Sequence, residues 1–307
     1  MCFRRSDGKK VKDLQIEEKT GPYFMPQRID AVNLFTHTIK CEYIDNFVKA
    51  EKQKTGTHFT YTELLIAAFV RMLHDRPKLN RFVNNCVIYQ RNYISISLTI
   101  KKKLVDDGED VVLKFFFKGN ESIYDVKKIV DEEIAKNTGV SDSKTGTDKT
   151  AAFLCKLPNW MFKFAMALIR FMDKHNMMPK KLIEVSPFHT SLYFTDLRSI
   201  KIDKVYHHLY NFGTTSIFAA LGKAKYRATQ TIEGETKFEK TMDIGFTLDE
   251  RVADGLYYAN SVRLLQKYLE NPELLCERLP EVEDDKKKKQ KDKKVKKDKK
   301  NKKKKEC

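Results

Sequence analysis

The chain has 307 residues, 41% of them hydrophobic and 33% charged, with a formal net charge of +17. That length suits one large domain or two small ones, and the apolar fraction can build a sizeable core. No apolar run reaches 18 residues and no signal pattern opens the chain, so a soluble cytoplasmic protein is expected, not a membrane-spanning one.

The charge is unevenly placed. Residues 286–307 hold 15 Lys against Asp292, Asp298 and Glu306, a local +12 that leaves only +5 for the other 285 residues. With Val295 and the final cysteine as its only apolar residues, this tail is expected to be disordered, either solubilising or in contact with an anionic surface. It lacks the interleaved aromatics that stack on bases. The six cysteines, at 2, 41, 86, 155, 276 and 307, show no CxxC spacing and imply neither a zinc site nor a disulfide framework.

In chain order, residues 1–21 read as a basic arm. His37–Tyr43 alternates as a strand, and a short helix follows over Ile44–Lys54. Thr60 and Glu63 form a capping box for a helix whose apolar face is Tyr61, Leu64, Leu65, Ala68, Phe69, Met72 and Leu73, closed before Pro77. Val87–Tyr89 and Tyr93–Ile100 are strands around a turn at Arg91-Asn92, and Val111–Phe117 is another. Ile123–Ile134 is an amphipathic helix, and 138–150 a polar mobile loop. Residues 160–172 (WMFKFAMALIRFM) are apolar nearly all round, yet too short and too interrupted to span a bilayer. A buried helix is the first expectation there; a lid over a channel and a membrane-surface contact stay open. Strands follow at 190–197, 215–221, 225–232 and 236–247. The mixture implies an α/β (α+β) fold, a mixed sheet packed on helices.

The chain then reads strand, turn, helix. Met242–Leu248 alternates, Asp249-Glu250-Arg251-Val252-Ala253-Asp254-Gly255 turns, and Val252, Leu256, Ala259, Val262, Leu265 and Leu269 repeat at three or four until Asn271-Pro272 stops the helix. This stretch resembles the HRVVDG corner in the acyltransferase catalytic domain of 2-oxoacid dehydrogenase complexes, related to the HxxxDG motif of chloramphenicol acetyltransferase. Leu221-Gly222-Lys223 resembles that family's LGVGR strand. Ser191–Leu197 resembles its FTISNLG strand, and Thr60–Asn80 its helix ending in PxLN. These motifs run in the family's order over residues 22–278.

The resemblance implies a chloramphenicol-acetyltransferase-like domain over 22–280, between the arm and a tail at 281–307. It implies acyl-CoA as cosubstrate with no bound cofactor or metal, direct transfer to an unidentified acceptor, and a homotrimer with sites between subunits. Residue by residue, the family's base histidine falls on Glu250, its oxyanion-binding hydroxyl on Thr195, and its structural aspartate and glycine on Asp254 and Gly255. Arg28 falls where an arginine pairs with that aspartate. His208, in His207-His208-Leu209-Tyr210-Asn211-Phe212-Gly213, echoes the chloramphenicol acetyltransferase motif out of position and is a further source of an imidazole; His189 and His37 are weaker candidates.

Replacing the histidine changes the chemistry. A free glutamate accepting a thiol proton works uphill by about 4 pKa units, roughly 5.7 kcal/mol, against roughly 2.7 for histidine. Only burial away from cations closes that gap. The sequence therefore leaves two readings: an acyltransferase with a carboxylate base, and a scaffold that kept the fold and lost the base.

Overall fold

The computed structural model describes residues 5–101, 110–138, 156, 158–230 and 234–280. The lysine tail, and the expected loop beyond Thr138, lie outside the described residues.

Seven strands make one mixed sheet. In spatial order these are β2 (Val32–Lys40), β10 (Thr236–Asp249), β8 (Ile217–Leu221), β7 (Leu192–Asp196), β5 (Ile94–Lys101) and β6 (Asp110–Phe117), with β9 (Lys225–Gln230) hairpinned onto the first half of β10. β5, β7 and β8 run parallel and the other pairs antiparallel. The parallel pairing needs crossovers: the chain passes from β5 to β7 through β6 and the helices that follow it, and from β7 to β8 through residues 197–216.

Helices α2 (Cys41–Thr55), α3 (Tyr61–Asp75), α4 (Ile123–Thr138) and α7 (Gly255–Glu270) pack on one face of this sheet. α3 begins as its capping box dictates: Thr60 Oγ1 accepts from Glu63 N at 3.3 Å, and Glu63 Oε2 accepts from Thr60 N at 2.6 Å. Every residue from Glu63 to Leu73 is buried, because α4 and α7 cover the side of α3 that turns away from the sheet. Phe69 meets Phe194 of β7 and Phe246 of β10 edge-on, so one aromatic ring pins α3 to the middle of the sheet.

The segment after β7 lies flat on the opposite face. A Cβ on Gly222 would sit 2.6 Å from Lys204 N, and one on Gly245 would sit 2.3 Å from Val205 O. His207 stacks on Phe218 with centroids 4.1 Å apart.

A second, three-stranded sheet is β1 (Gly8–Lys10), β4 (Val87–Arg91) and β3 (Arg81–Asn84). This differs from the sequence reading in two ways. β4 and β5 do not pair across Arg91-Asn92; the chain passes there from the small sheet to the large one. The stretch assigned to an arm is folded from Arg5 onward: β1 pairs with β4, Arg5 and Asp7 are buried, and α1 (Ile16–Phe24) follows.

Helix α5 (Asn159–Lys174) corrects the expectation of a buried helix. Only Asp173 is buried; Trp160, Phe164, Leu168 and Phe171 stand in solvent, and α6 (Lys180–Val185) follows. Its composition resembles a core helix, but just one of its sides meets the protein.

Candidate functional site

The corner between β10 and α7 is built on Asp249. Its backbone continues the β-ladder, with Asp249 N donating to Ser216 O and Glu250 N to Ala31 O, both at 2.9 Å. The turn closes when Val252 N donates to Asp249 O, and α7 starts when Asp254 Oδ1 accepts from Tyr257 N at 2.8 Å. Asp254 is thus an exposed N-cap, with Gly255 as the first helical residue and open space where its Cβ would be.

The buried anchor is Asp249, at 0% exposure. Arg251 reaches back to it with two N–H groups, Nε to Oδ1 at 2.8 Å and Nη2 to Oδ2 at 2.7 Å, and spends Nη1 on the carbonyls of Met25 and Pro26. Arg28 lies 3.7 Å from Asp249 and donates to the carbonyls of Tyr210, Asn211, Gly213 and Thr215. Burial lowers the Arg28 guanidinium to about 10, and Asp249 opposes that fall. The sequence expectation paired Arg28 with Asp254; the structure pairs it with Asp249, five residues earlier. Gly213 holds φ +90°, and a Cβ there would strike Phe188 O at 2.3 Å, so this position of the Arg28-binding loop admits only glycine.

Beside these arginines is a cavity of about 640 Å³, lined by Arg28, Arg251, Arg170, Lys174 and Asp173 among others. Of the charged groups in the lining, Arg28 and Arg251 are buried against Asp249, Arg170 and Lys174 are exposed, and Asp173 is the one carboxylate, so the space suits an anionic group at Arg170 and Lys174. The carboxylate is already engaged. Asp173 accepts from Arg5 at 2.8 Å and lies 3.2 Å from His189 Nε2. Burial raises its pKa, but His189 and Arg5 outweigh that and hold it at about 2. Arg5 and Arg91 also share the buried Asp7, and His189 Nδ1 contacts Ser186 Oγ at 2.7 Å. His189 is completely buried, and burial lowers its pKa. His37, on β2, is half-buried and likewise lowered by burial.

The residues aligned with catalytic positions are not gathered in one chain. Glu250 is exposed at the corner, and His208 is exposed on the segment over the opposite sheet face, stacked on His207. Thr195 is half-buried on β7, opposite Ala220 of β8, whereas the corner meets Ser216, the residue just before that strand. Four strand residues separate those two points, about 13 Å. None of Glu250, Thr195 and His208 lines the cavity.

Sequence reasoning missed Arg5, Asp7, Asp173 and Asp249. Only Asp249 carried a sequence signal: it ends an alternating strand at a turn whose next residue but one is arginine. Among the described residues no three His, Cys, Asp or Glu side chains are grouped to hold a metal ion.

Comparison with known proteins adds the architecture. No protein-family model matches the chain, and no curated protein matches it in sequence. Solved structures do match. A probable dihydrolipoamide acetyltransferase from Listeria monocytogenes 4b F2365 is 13% identical, with a TM-score of 0.53 over 86% of this chain and 95% of that one. A dihydrolipoamide acetyltransferase from Azotobacter vinelandii is 11% identical, with a TM-score of 0.53 over 87% and 94%. A chloramphenicol acetyltransferase is 11% identical, with a TM-score of 0.52 over 85% and 99%. The chain therefore has the chloramphenicol-acetyltransferase-like fold shared by these acyltransferase cores.

Proposed function

We propose that the protein is a coenzyme A-dependent acyltransferase whose site is completed between copies of a homotrimer. The observation that carries this reading is the cationic cavity built against the Asp249 corner, with the exposed Arg170 and Lys174 available to the phosphates of coenzyme A. Its size lies in the range of ligand sites, about 300–1,000 Å³.

Direct transfer needs few parts. The acceptor X–H gives its proton to the Glu250 carboxylate as X attacks the thioester carbonyl carbon. The Thr195 hydroxyl donates to the oxyanion that forms. The C–S bond then breaks, and the departing thiolate takes the proton back from Glu250. In one chain Glu250 stands in water. Around it, however, Ile29 (65%), Leu34 (53%) and Leu256 (70%) are uncovered. A neighbouring copy seated on those side chains would shield Glu250 from water and bring its own Thr195 or His208 alongside.

A second reading is favoured by the exposure of Glu250: a scaffold that binds coenzyme A or a protein partner without turnover. Thiol release from acetyl-CoA across a panel of hydroxyl, amine and thiol acceptors separates the two. The enzyme gives acceptor-dependent release that Glu250→Gln or His208→Ala abolishes. Coenzyme A binding with no release across the panel would leave the scaffold.

A further inference from the structure

Helix α5 has three sides, set by the 100° step between successive residues. One faces the protein: Phe162, Ala165, Met166, Ile169 and Met172 are half-buried, and Asp173 is buried and tied to Arg5 and His189. The second is apolar and bare, with Trp160 at 71%, Phe164 at 68%, Leu168 at 48% and Phe171 at 54% exposure. The third, adjoining the apolar side along one flank, carries Lys163, Arg170 and Lys174, all exposed. Lys156 stands exposed just before the helix. Asp173 is the helix's only acidic residue, so no carboxylate on its solvent sides offsets these cations.

The geometry points to an anionic lipid surface as the occupant of this helix. An apolar stripe ending in tryptophan, with cations along its edge, is how a helix lies in the headgroup plane: aromatic and leucine side chains dip below it while lysine and arginine stems reach up to phosphate. Charge decides against an antiparallel second copy of α5, because that two-fold contact would set Lys163, Arg170 and Lys174 near their own images. Length decides against insertion across a bilayer. Sixteen residues make a helix of about 24 Å, short of the hydrocarbon thickness of about 30 Å, and no helix among the described residues is long and apolar enough to cross. Since Arg170 and Lys174 also line the cavity beside the Asp249 corner, its mouth would open next to the bilayer.

The chain provides its own reporter, because Trp160 is its single tryptophan. The test adds vesicles of phosphatidylcholine, with and without phosphatidylglycerol, to the full chain and follows Trp160 emission together with co-sedimentation. The expected result is a blue shift and protection from aqueous quencher with the anionic vesicles. In the double variant Phe164→Glu/Leu168→Glu the bound fraction should fall about ten-fold or more at salt high enough to screen the lysine tail, with the melting temperature unchanged. Co-sedimentation without any change at Trp160 would overturn the proposal, since the tail alone would then be binding. A blue shift that tracks protein concentration without vesicles, or that acyl-CoA alone produces, would overturn it in favour of self-association or lid closure. None of these readings depends on turnover, so the failure of the enzymatic assignment and the failure of this one are separable.

Discussion

The anchoring role of Asp249 can be tested against the N-cap five residues later. In Asp249→Asn, two guanidinium groups at 4% and 6% exposure lose their shared carboxylate while the side chain keeps its size. The three N–H···O contacts to Arg251, including its backbone N–H at 3.2 Å, are weakened at the Nδ2 end, where an amide now faces a cation. Breaking a buried pair by neutralising one partner costs about 3–5 kcal/mol, a third or more of the stability of a domain held by about 10. Asp254→Ala removes one N-cap contact at the surface and should cost about 1 kcal/mol. Urea unfolding followed by circular dichroism reads both, as the shift in midpoint multiplied by the slope. Replacing Arg251 by Met together with Asp249→Asn should recover part of the loss, because one stranded cation is gone. Equal midpoints for Asp249→Asn and Asp254→Ala would refute the assignment of the corner to Asp249.

Acid stability should report Asp173. Its folded pKa, about 2, lies below the ordinary 3.8, so the carboxylate stabilises the protein fully above pH 4 and that contribution is lost as pH falls toward 2. The difference amounts to about 2 kcal/mol, and Asp173→Asn should flatten this limb of the stability profile in chemical denaturation at stepped pH. Gly245→Ala should destabilise by about 1–3 kcal/mol or more, because its methyl would meet the Val205 carbonyl 2.3 Å away, backbone against backbone. A melting temperature equal to the parent's would show that the 198–215 segment does not lie on the sheet.

The sequence revealed what is local. α3 was legible because a capping box and a continuous apolar face agree over fifteen residues, and the corner because the apolar period switches there from two to three and four. β3 was missed because it is four residues long and turns through Asn85 and Cys86, both at positive φ (47° and 58°), without the glycine that usually marks such a turn. The folding of the N-terminal stretch was illegible because the partners that bury Arg5 and Asp7 are Asp173 and Arg91, far along the chain. Arg28 had two aspartates within reach in the sequence, and only the ladder between β2 and β10 shows which is inside. For α5, composition gave apolarity on every side but not which side the protein would cover.

The central claim is a site shared between chains, with Glu250 from one and Thr195 from its neighbour. Co-refolding Glu250→Gln with Thr195→Ala and measuring acceptor-dependent thiol release from acetyl-CoA tests it most directly. Each variant alone should be inactive; each mixed trimer should hold one intact interface in three, so a preparation mixed one to one should regain about a quarter of wild-type turnover. Mixed oligomers, verified by mass, that stay as inactive as their parents would contradict it.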